Sequence, residues 1–180
     1  NSFSVKSAKF NNTFSGEFTF INPEELAKKN IKSITETLDG RMWFGTEEGL
    51  FYSVKSGDGI LIKKYNRSEE LNIWSLAPGA SFDLWVGTYG AGLFHFNLKT
   101  DELTQVPNYE KKSRSPAVNF NKAVYRDDKN NIWIGFWGLG LSRLNSSSHN
   151  YSGWLNEPND VNSLSHDDVW VIHQDSKGRI

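Results

Sequence analysis

Apolar residues in this chain fall into short runs separated by clusters of Gly, Asn, Asp, Pro and Ser, as in a meander of antiparallel strands. One stretch shows the pattern well. Residues 73–77 read as a first strand, 78–81 as a turn, 84–88 as a second strand, 92–97 as a third and 103–106 as a fourth. In Leu84-Trp85-Val86 and Ile132-Trp133-Ile134 three consecutive apolar residues predict a strand buried on both faces, as when one sheet packs between two others.

The same phrase returns in phase. It occupies residues 39–52, 83–96 and 131–144 and opens again at 175–180, so that Trp43, Trp85 and Trp133 recur at the ~40 to 50 residues of a four-stranded propeller blade. Gly45, Gly87 and Gly135 follow these tryptophans and leave room for a neighbouring side chain, whereas Gly49, Gly92 and Gly140 suit a turn or bulge. The head of each unit is shared as well, in Asn30-Ile31-x-x-Ile34, Asn72-Ile73-x-x-Leu76 and Asp168-Val169-x-x-Ile172, with 119–124 a looser copy.

These readings predict an all-β fold, a β-propeller fragment of four-stranded antiparallel blades. Complete blades are expected at 31–66, 71–107 and 119–155. Residues 1–22 supply outer strands of a preceding blade, and 163–180 start a following one. In the polar link 22–30, Pro23 followed by two Glu predicts a single helical turn. The tryptophans and second-strand glycines form the structural core of the repeat.

Composition agrees with strands and limits the function. The 180 residues include 7 Trp, 12 Phe, 6 Tyr and 15 Gly, although only 37% are hydrophobic. A net charge of −1 without a basic cluster argues against nucleic acid as a partner of this segment. The absence of cysteine excludes disulfides, zinc knuckles and thiol nucleophiles. No apolar run reaches the ~20 residues of a membrane helix.

Catalytic patterns are missing too. There is no Gly-x-Ser-x-Gly, and the four histidines have no triad spacing. His166, Asp167, Asp168 and His173 have metal-ligand chemistry but read as a polar turn leading into a strand, so no metal is expected. Gly90-Ala91-Gly92 and Gly138-Leu139-Gly140 lack the third glycine of a dinucleotide loop, so no cofactor is expected.

One column of the repeat varies while its neighbours do not. Two positions before Ile34, Leu76, Val124 and Ile172 stand Lys32, Trp74, Lys122 and Trp170. Residues released from the packing demands of the repeat are free to serve a ligand, and Trp beside Asn72 or Asp168 suits stacking on and hydrogen bonding to a sugar ring. Packing of Trp74 and Trp170 between blades is the competing reading. Tyr89 and Trp137 belong to the repeated phrase and read as structural.

The pattern Asp-x-x-Gly-x-Ile-Trp-Ile-Gly-Thr followed by Gly-Gly-Leu resembles the two-component regulator propeller repeat, and 159–179 is similar to the stretch that joins two such blades. Phe136, the run Glu47-Glu48-Gly49 and the turn Ala80-Ser81-Phe82-Asp83 depart from that repeat. The resemblance implies a non-catalytic sensor propeller in the periplasm. It would be part of a hybrid histidine kinase that spans the inner membrane, detects carbohydrate fragments and controls transcription. Expected partners are an oligosaccharide and either a second copy or the remainder of the propeller. The Asp-turn-Trp punctuation also resembles sialidase propellers, which makes a glycosidase-like enzyme the first alternative and a protein-interaction or dimerisation scaffold the second.

Overall fold

The computed structural model describes residues 20–107, 120–148 and 150–180. It contains three four-stranded antiparallel sheets, each a sequential meander. The first consists of β1 (Ile31–Glu36), β2 (Met42–Thr46), β3 (Gly49–Ser56) and β4 (Gly59–Lys64). The second consists of β5 (Ile73–Pro78), β6 (Asp83–Thr88), β7 (Leu93–Asn97) and β8 (Glu102–Gln105). The third consists of β9 (Asn121–Arg126), β10 (Asn131–Phe136), β11 (Leu141–Asn145) and β12 (Tyr151–Trp154). One helical turn, α1 (Glu24–Ala27), follows Pro23.

Adjacent sheets meet face to face through their inner strands, with a socket and a plug. A Cβ on Gly45 would lie 2.6 Å from Ile73 Cγ2, one on Gly87 would meet Ser75 and Val124, and one on Gly135 would lie 2.8 Å from Val169 Cγ1. In each case the second strand of one blade lacks a side chain where the next inner segment, β5, β9 or the stretch around Val169, must enter. The tryptophans fill the same gaps. Trp43 packs with Ile73, Leu76, Leu84 and Phe96 of the following blade, and Trp85 packs with Val124, Ile134 and Phe136. Trp133 is half-buried and stacks on Trp154 with centroids 5.3 Å apart.

The turn between first and second strands is held by a side-chain acceptor. In the third blade this is Asp127, which takes hydrogen bonds from the Asn131 backbone (2.7 Å) and from Trp133 Nε1 (2.9 Å). In the first blade Thr37 Oγ1 accepts from Trp43 Nε1 at 3.1 Å. The second blade, where the sequence breaks the pattern, uses a substitute. Gly79 stands where the acceptor is due, and the Asp83 carboxylate folds back from the other end of the turn into the space that a Cβ on Gly79 would occupy. Asp83 Oδ1 then accepts the Ser81 amide at 3.0 Å.

The two flanks pack on the blades in different ways. Of residues 1–22 only the last three are described, and they run along the outer strand of the first blade. Phe20 forms a parallel bridge with Ile60, and Asn22 bonds both the carbonyl and the amide of Ile62. The outer edge of β4 has unpaired backbone groups, which this segment satisfies. The strand expected at 16–20 otherwise lies outside the described residues.

Residues 163–180 form no strand. A ladder requires a strand alongside, and no described segment provides one. Backbone bonds that hold the segment before the turn at Asp175 include Leu164 N–H to Leu155 O (3.4 Å), Gly140 N–H to Asp167 O (2.7 Å) and Val169 N–H to Phe136 O (3.0 Å).

Candidate ligand-binding site

The inner strands share one irregularity. In β1 the pairing with β2 skips from Ile31 to Ser33, and in β5 the pairing with β6 skips from Ile73 to Ser75. In β9 the pairing with β10 skips from Asn121 to Ala123. Lys32, Trp74 and Lys122 are therefore the unpaired residues of three equivalent β-bulges. A bulge turns its extra side chain out of the normal alternation, so the three project toward one another across neighbouring blades. Register explains why this column of the repeat is free to vary.

The bulge side chains converge on one another and on the segment after β12. Lys122 Nζ lies 3.5 Å from the Trp74 ring centroid, 4.3 Å from that of Trp170 and 4.7 Å from that of Trp137. Lys32 Nζ lies over the opposite end of the row, 5.1 Å from the Trp74 centroid. Trp74 stacks on Tyr89 (5.3 Å), and Tyr89 packs on Phe120 (4.6 Å). The result is an alternating series of ammonium and indole groups contributed by successive blades.

Polar neighbours fix these rings and charges. Asn72 Oδ1 accepts from Trp74 Nε1 at 2.9 Å and so sets the indole's tilt. Glu47 pairs with Lys32 at 2.9 Å and accepts from Asn30 at 3.0 Å. Asp168 Oδ1 accepts the Gly138 amide at 2.6 Å, which ties the segment carrying Trp170 to the loop carrying Trp137. Lys122 is only 8% exposed, whereas Trp137 is 50% and Trp170 60% exposed. Burial pushes the Lys122 ammonium below the ordinary lysine value, Lys32 adds repulsion, and Asp168 opposes both.

Each residue of the predicted column thus lies in one cluster, together with Asn72 and Asp168. Tyr89 and Trp137, read as structural from the repeat, belong to this cluster as well. Their exposure separates them from the buried tryptophans of the core. The signal available in the sequence was that both are aromatic, Tyr89 where the first copy has Glu47 and Trp137 one residue after Phe136. Among the described residues no three His, Asp or Glu side chains converge as metal ligands. His166 instead accepts the Asp168 amide at 3.0 Å.

No family model matches the chain. It is 32% identical over 159 residues to a histidine kinase, P4, of Formosa agariphila, a match that covers 83% of this chain and 11% of that protein. The extracellular domain of BT4673 from B. thetaiotaomicron, named as a hybrid two-component system, superposes with a TM-score of 0.65 at 21% identity. That superposition covers 83% of this chain and 19% of the other. Virginiamycin B lyase from Staphylococcus aureus superposes with a TM-score of 0.51 at 14% identity, covering 72% of this chain and 42% of the enzyme. The fold therefore occurs both in a lyase and in the extracellular domain of a two-component system, and only the site can argue function. The chain is a segment of a β-propeller of four-stranded blades, similar over most of its length to a sensor histidine kinase and to the extracellular domain of a two-component system.

Proposed function

We propose that this segment belongs to the periplasmic sensing propeller of a hybrid two-component kinase and binds carbohydrate fragments without cleaving them. The intact protein then adjusts transcription. The observation that supports this is the cluster of bulge residues, where Trp137 and Trp170 present half-exposed indoles beside Lys122. Exposed indoles next to fixed polar groups are the chemistry of sugar recognition. Signalling follows if the ligand favours one arrangement of packed propellers over another, since an equilibrium moves only by differential affinity.

Titration of the complete propeller with a glycan panel tests the reading. Saturable binding is expected, weakened ~10-fold or more in Trp170→Ala, the loss of a large stacked aromatic contact. Absence of binding to any glycan overturns it. Turnover of an aryl glycoside would favour the enzyme reading instead.

The scaffold reading rests on a separate observation. Ile31 and Ile34 on β1 are 37% and 54% exposed, whereas their counterparts Ile73 and Leu76 are 0% and 7% exposed beneath the preceding blade. The open face of β1 has the composition of a blade-to-blade interface, and it supports association with another propeller segment or a second copy.

A further inference from the structure

We infer that the sugar recognised at the bulge cluster is acidic, with its carboxylate or sulfate group bound by Lys122 and, at the edge of the cluster, by Lys32. This rests on the carbohydrate reading above and narrows it to a class. An ammonium offers three donors. That of Lys122 is enclosed by the faces of Trp74, Trp137 and Trp170, and no described residue accepts a hydrogen bond from it. Ring faces stabilise a cation but leave its donors unmet.

The acidic neighbours do not meet them. Asp168 directs Oδ1 to the Gly138 amide and has Oδ2 3.7 Å from His166. Glu47 is engaged by Lys32 and Asn30. A second ammonium, Lys32 Nζ, lies 5.1 Å from the centroid of the same Trp74 ring and raises the advantage of bringing in an anion. An acidic group on a sugar supplies the missing acceptor, and the sugar's apolar face then lies against the half-exposed rings of Trp137 and Trp170. A neutral sugar would offer only hydroxyl acceptors to a cation already removed from water, a weaker match.

The test compares fragments of polygalacturonate, which carries carboxylates alone, and of carrageenan, which carries sulfates alone, with fragments of neutral galactan and mannan. Binding is measured to the complete propeller. The expected result is preference for one acidic set, weakening with added salt, reduced ~10-fold or more in Lys122→Met and retained in part by Lys122→Arg. Unchanged circular dichroism and melting temperature in the variants separate lost contact from lost fold. Equal or better binding of the neutral fragments overturns the inference and leaves the carbohydrate reading standing. Binding of none of the four sets, nor of any glycan in a wider panel, overturns both.

Discussion

At Asp127 one buried carboxylate organises an entire turn. It accepts from the Asn131 backbone and side chain at 2.7 and 2.8 Å, from Trp133 Nε1 at 2.9 Å and from the Lys129 amide at 3.0 Å. Burial alone would raise its pKa, but these bonds to the ionised form outweigh it and hold the carboxyl below its ordinary value. The stabilisation is therefore complete above the unfolded carboxylate's pKa and disappears as pH falls through the lower folded value. Asp127→Ala should cost ~2 to 3 kcal/mol near neutral pH by orphaning these donors, and the variant should lose less stability than the parent on acidification. Urea melts across the acid range would show both effects. Trp43→Ala and Trp85→Ala should each cost ~3 to 5 kcal/mol as large core truncations. Melts indistinguishable from the parent would contradict their place between blades. The Asp127 turn was legible only as punctuation between two apolar runs, because the position six residues before the tryptophan carries Thr37, Gly79 and Asp127 in the three copies. The Gly79 and Asp83 exchange was not, since a carboxylate reaching back from the far end of a turn leaves no signal at the expected position.

Strands and turns followed the apolar pattern closely because each element has its period-two alternation and its punctuation within itself. The four strands read for the second unit differ from the observed ones by a residue at their ends. The bulges at Lys32, Trp74 and Lys122 were not legible as such. A register slip depends on how two strands pair, and only its trace, the variable column, stands in the sequence. At 163–180 Val169 takes the place against Gly135 that Ile73 takes against Gly45, but the segment forms no ladder, because a strand's sequence does not supply the strand's partner. Between elements, the glycine sockets give the sharpest test. Gly45→Val would drive a branched side chain into Ile73 and Leu76, and Gly87→Val into Val124 and Asn121. Each should destabilise by ~1 to 3 kcal/mol, the usual range for overpacking, while the same substitution at Gly57, which has open space where its Cβ would be, should disturb only its positive φ. Paired thermal melts of the three variants would reveal the contrast.

The three blades show one relation repeated, in which each inner strand lies on the second strand of the blade before it. That repetition makes Ile31 and Ile34 conspicuous as plugs with no socket among the described residues. The isolated segment is expected to self-associate as its concentration rises, and Ile34→Lys should abolish this without unfolding the blades. Light scattering that finds only monomer at every concentration would reject the scaffold reading. The socket-and-plug contact is also directional: one side of every blade is hollow and the other is filled, so no unit can mate with a mirror of itself. Such head-to-tail joints have two possible ends, a closed circle when the rotation per joint divides a full turn, or an open spiral when it does not. A single bulky residue in place of Gly45 or Gly87 would thus change more than local packing. By altering the angle at one joint it would decide whether successive units meet again or grow past one another, and electron microscopy of the variants would distinguish rings from filaments.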